Sequence, residues 1–120
     1  MRISNIQSNT NFGRIYQVIG DKKDVKELRD LIVKEQQISG NKAAIYDTTS
    51  MFAKNAFYPK EIEGKRFLHI VTGKDCDEET KIFNPESFLY LIGCTNKVIH
   101  LNNNVKRNGY PIFQSIRDNV

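Results

Sequence analysis

The side chains in this chain that could serve as nucleophile, base or ligand are Cys76, Cys94, His69 and His100, with Asp47 as a candidate orienting carboxylate. A cysteine–histidine pair becomes nucleophilic only when the two are in hydrogen-bond contact and the surroundings favour the thiolate. Cys76 stands in Asp75-Cys76-Asp77-Glu78-Glu79, where neighbouring carboxylates disfavour a thiolate. Cys94 follows apolar Leu91 and Ile92 and reads as a small buried thiol. His69 and His100 each fall in a strand-like run among apolar neighbours, the usual setting of a structural histidine. Pairing of those strands would bring the imidazoles together, but two ligands without a third make a poor metal site. No CxxC or paired-histidine spacing points to zinc, and two cysteines do not make a disulfide framework. The acidic run at 75–79 lacks the glycine and the distal glutamate of a calcium loop and suits the solvated first turn of a helix. The residues therefore predict no metal, no cofactor and no assembled catalytic set.

Anion binding has two candidate loops. Thr72-Gly73-Lys74-Asp75 follows a strand, which makes Gly73 and Lys74 candidate anion-binding residues. A P-loop would need an earlier glycine and a hydroxyl after the lysine, where Leu68 and Asp75 stand. Gly20-Asp21-Lys22 likewise lacks the spaced glycines of a dinucleotide site. Eighteen Lys and Arg against fourteen Asp and Glu give a net charge of +4. The densest basic groups are only pairs (Lys22-Lys23, Lys65-Arg66, Lys106-Arg107), so the charge reads as an ordinary wet surface rather than a nucleic-acid footprint.

Two short runs bear on RNA. Ile15-Tyr16-Gln17-Val18-Ile19-Gly20 resembles the first-strand hexapeptide of the RNA-recognition motif, with Tyr16 at the stacking position. Lys65-Arg66-Phe67-Leu68-His69-Ile70-Val71-Thr72 is similar in part to its third-strand octapeptide, placing Phe67 and His69 where stacking rings stand. Arg66 replaces a glycine, His69 replaces an aromatic ring and Thr72 ends the run. The resemblance implies a single-stranded RNA binder using Tyr16, Phe67 and His69. Against it, both alternating rows of that strand, Phe67/Val71 and Leu68/Ile70, are apolar, which implies cover on both sides rather than an open platform.

Aromatic residues outside regular patterns are the remaining candidates. Phe52, Phe57, Tyr58, Tyr110 and Phe113 fall in segments without clean periodicity and are candidate contact residues, either sealing the core or anchoring a partner.

These residues must be positioned by a small number of elements. Arg14–Gly20 predicts a strand, and Asp21 or Asp24 caps a helix whose stripe is Val25, Leu28, Leu31, Ile32 and Ile38, stopped at Gly40. Lys42–Asp47 and Lys65–Thr72 predict two more strands, with an unresolved helix or irregular excursion between them. Asn84-Pro85 opens a helix, with a strand over Ser87–Ile92 as the rival reading. A last strand lies at Val98–Leu101, and Asn102-Asn103-Asn104 stops it. The order predicts an α+β fold, a two-layer sandwich of ferredoxin-like βαββαβ order.

The 120 residues form a single domain in this reading, 1–120, with a polar arm at 1–12 and a C-terminal extension at 102–120 docking as a short helix. The expectation is a cytoplasmic, non-enzymatic binding or regulatory module whose partner is a protein (adaptor or inhibitor type). RNA is the alternative partner, and a small enzyme or anionic-ligand-binding domain is the third reading. No membrane contact is expected, and a free edge strand would allow a homodimer.

Overall fold

The computed structural model of the chain describes residues 14–53, 64–73 and 85–118. The β-rich run Arg14–Gly20 forms strand β1, and Asp21 turns the chain into helix α1, Lys22–Ser39. The helix forms here because Val25, Leu28 and Ile32, three and four residues apart, are all buried on one side. It stops at Gly40, whose φ of 78° suits a residue without a Cβ, and whose N–H donates to the Gln36 carbonyl at 2.9 Å. The Gln36 side chain accepts the Ala43 N–H at 3.0 Å, which fixes the entry into strand β2, Ala43–Asp47.

The stretch after Asp47 begins as a short helix, α2, Thr49–Ala53. Strand β3 follows at Arg66–Thr72. The apolar run after Asn84 is a helix: α3 spans Pro85–Gly93, so the strand reading of 87–92 does not hold. Proline suits this first helical position because its missing N–H would have had no partner within the helix. Strand β4 is Lys97–His100, and the tail docks as two helices rather than one, α4 at Val105–Asn108 and α5 at Tyr110–Asp118. The expected arm at 1–12 and the acidic helix start at 75–80 lie outside the described residues.

The chain is an α+β fold with a four-stranded mixed sheet in the order β2-β3-β1-β4. β1 and β2 each pair antiparallel with β3, while β4 runs parallel to β1. Two parts of the expected architecture change: the sheet is not wholly antiparallel, and helices cover both of its faces, making three layers instead of two. Asn96 supplies a reason for the direction of β4. Its backbone N–H donates to the Ile15 carbonyl at 2.8 Å, and its side-chain oxygen accepts the Ile15 N–H at 2.7 Å. The chain thus joins β1 at its beginning and must run alongside it, pairing Tyr16 with Lys97 and Ile19 with His100.

One face of the sheet carries Tyr16, Val18, Ala43, Leu68, Ile70 and Ile99 beneath α1, α4 and α5. The other carries Ile15, Ala44 and Val71 against Leu91 of α3. β3 is buried on both sides from Phe67 to Thr72, as its two apolar rows imply. The tail is bound closely to α1. A Cβ on Gly109 would stand 2.8 Å from Leu28 Cδ1 and 3.0 Å from the Val105 carbonyl oxygen, so a larger residue there would have to displace Leu28. Asn41 Nδ2 donates to the Ile116 carbonyl at 2.9 Å, and Arg117 pairs with Glu35 at 2.7 Å. Among the described residues no helix is long and apolar enough to cross a membrane.

Candidate functional site

The three rings expected to stack on RNA bases do not share a surface. Tyr16 is buried on the α1 face, where its hydroxyl donates to the Pro111 carbonyl at 3.3 Å. Phe67 and His69 are buried on the opposite face. Side chains alternate along a strand, so Tyr16 pairs with Ile70 across the sheet while His69 stands opposite Gln17.

His69 sits in a built enclosure. The Thr48 hydroxyl lies 3.2 Å from the Phe67 carbonyl and is hydrogen-bonded to His69 Nδ1 at 3.0 Å. The Phe52 ring lies nearly parallel to the imidazole, with centroids 6.1 Å apart, and stacks on Phe67 at 4.4 Å. Burial away from water lowers the His69 pKa from 6.5 to about 4, so the ring is neutral at pH 7. An imidazole with no exposed surface, held by a threonine and covered by a phenylalanine, acts as a core residue. Phe52, half-buried, seals that core.

The other candidates are dispersed. β1 lies between β3 and β4, so His69 and His100 are on strands about 10 Å apart and do not meet. Among the described residues no group of three His, Cys, Asp or Glu side chains could hold a metal ion. Cys94 is exposed, not buried as its apolar neighbours suggested, because it falls just past the end of α3. Gly73 is buried at the end of β3, and its partner Lys74 lies outside the described residues, as do Phe57, Tyr58 and Cys76.

The tail aromatics do come together with α1. Leu31, Ile38, Tyr110 and Phe113, with Lys34, Glu35 and Lys106, line an open groove of about 270 Å³ between α1 and the α4–α5 tail. Phe113 is buried at its base, whereas Tyr110 is 54% exposed and Ile38 71% exposed. The sequence stripe of α1 included Ile38 as a core residue; in the fold the stripe outruns the core and its last member faces water. Glu35 is paired with Arg117, whose guanidinium is held more firmly protonated by that carboxylate. Lys34 and Lys106 are exposed and leave the groove with a cationic border. Lys34 and Lys106 carried no signal in the sequence, since they are distant in the chain and each looks like an ordinary surface lysine.

The chain matches no protein-family model, no curated protein and no solved structure. Its function is therefore argued from its own surface.

Proposed function

We propose that this chain is a protein-binding module that receives an acidic, amphipathic helical segment of a partner in the groove between α1 and α5. The observation that carries this reading is the pairing of an uncovered apolar floor, Ile38 and Tyr110, with a lysine border at Lys34 and Lys106. An amphipathic helix offers apolar anchors at three- and four-residue spacing, which such a floor accepts. Carboxylates flanking those anchors would meet the lysines, and Glu35 does not oppose them because Arg117 neutralises it. The groove is smaller than the roughly 300–1,000 Å³ of small-molecule sites, so it fits one or two anchoring side chains better than a whole metabolite. Its walls are fixed in advance by the Asn41–Ile116 and Glu35–Arg117 contacts, which lowers the ordering cost of binding.

The test is an NMR titration of the intact chain with a helical peptide carrying leucines at i, i+4 and i+7 and glutamates between them. A peptide of the same pattern with lysines in place of glutamates is the control. Shifts at Leu31, Ile38, Lys106 and Tyr110 are expected from the acidic peptide alone. Ile38→Glu is expected to weaken binding about tenfold or more, equivalent to ~1.4 kcal/mol. Equal response to both peptides, or none at these residues, would remove the reading.

A further inference from the structure

The opposite end of α1 carries a second feature, independent of the groove. Lys22, Lys26 and Arg29 recur at i, i+4 and i+7 and so share one side of the helix. The antiparallel register sets Gly20 opposite Arg66, which brings the start of β3 beside the start of α1. One member of each of two basic pairs that look scattered in the sequence, Lys22 and Arg66, is thereby brought to one place. Lys22, Lys26, Arg29 and Arg66, with Val25 and Asp47, line a cleft of about 210 Å³.

The charges in this cleft are not balanced internally. Among the described residues no carboxylate pairs with any of the four cations. Asp21, next to Lys22 in sequence, is engaged by Lys65 at 2.6 Å and makes no capping bond to α1. Asp47 lines the cleft, but its Oδ1 accepts the Thr49 N–H at 3.1 Å and the Thr49 hydroxyl at 2.6 Å. Like charges three and four residues apart on a helix repel, a cost that an anion in the cleft would relieve.

We infer that this cleft binds the phosphate group of a small phosphorylated molecule. Four cations against one carboxylate leave an excess of three charges, of which a single carboxylate ligand would offset one, a phosphate group about two and a diphosphate most or all. The guanidinium groups of Arg29 and Arg66 present paired N–H donors that match phosphate oxygens, and Lys22 and Lys26 add point charges. The volume admits one or two phosphoryl groups and leaves the rest of the ligand outside. A nucleic-acid strand would need cations continuing along a track beyond the cleft; here the four line a single cleft.

The experiment is calorimetric titration of the intact chain with inorganic diphosphate at low ionic strength, with citrate as the carboxylate control and a single-stranded oligonucleotide as the competing source of phosphate. Saturable binding of diphosphate, at least tenfold tighter than citrate, is expected. Lys26→Gln and Arg29→Gln, both on the exposed side of α1, should each weaken it severalfold, while Lys23→Gln, which removes the same charge outside the cleft, should leave it unchanged. Absence of saturable binding by the unaltered chain overturns the inference whatever the variants do. So does an equal loss in Lys23→Gln, which would mean general electrostatic attraction. Tighter binding of the oligonucleotide through the same residues would replace a small ligand with a nucleic-acid backbone.

Discussion

The two faces of the sheet are both buried, yet they are built from different materials. The face under α1, α4 and α5 is almost wholly apolar, and its packing depends on volume: Leu28 meets Gly109, and Tyr16, Val18, Leu68 and Ile70 fill the layer between. The face under α2 and α3 has a smaller apolar cluster and encloses His69, Thr48 and, half-buried, Gln17. A polar group taken out of water is stable only while its hydrogen bonds and its neutral form are kept. The first face should therefore respond to lost methyl groups and the second to protons.

The largest expected effect belongs to the apolar face. Leu28→Ala removes a fully buried side chain at the seam between α1 and the tail, and should cost about 3–4 kcal/mol in urea unfolding with little dependence on pH. A loss below about 1 kcal/mol would mean that α1 and the tail are not packed as described.

Next is acid sensitivity on the other face. With His69 at about 4 in the folded chain and 6.5 as its ordinary value, the unfolded chain takes up the proton first as pH falls. The stability that His69 contributes is complete above about pH 6.5, declines below it and is exhausted near pH 4, a loss of about 3 kcal/mol. His69→Leu should flatten that part of the pH–stability curve even if it lowers the plateau. A wild-type curve that is flat from pH 7 to 4.5, or an unchanged slope in the variant, would break the distinction between the faces.

The smallest effect tests a buried hydroxyl pair on the apolar side. The Thr72 and Ser115 hydroxyls are hydrogen-bonded between β3 and α5, both buried. Ser115→Ala should cost about 1 kcal/mol, again without pH dependence.

Much of the local structure was legible in the sequence because local rules decide it. The α1 stripe, the Gly40 stop, the double apolar rows of β3 and the helix start at Pro85 all depend on neighbours within a few positions. The direction of β4 was not legible. Its four residues contain one buried side chain, Ile99, and their polar, apolar, apolar, polar order is the same read either way. What orients it is Asn96 finding Ile15, eighty-one positions away in the chain. The same limit hid the cationic cleft. Lys22-Lys23 and Lys65-Arg66 are unremarkable pairs until the register of β1 and β3 places Arg66 next to the start of α1. Ile38 erred in the other direction, since periodicity marks a stripe but not where the body beneath it ends.

The position of β1 in the sheet has a consequence for how this chain is made. It is the first described strand to leave the ribosome, yet both of its neighbours, β3 and β4, come from later in the chain. At ~5–20 residues per second, several seconds pass before Lys97–His100 is synthesised and the second edge can close. Until then β1 can pair only with β3, its other edge stays open, and the four-stranded sheet closes only when the last-made strand arrives.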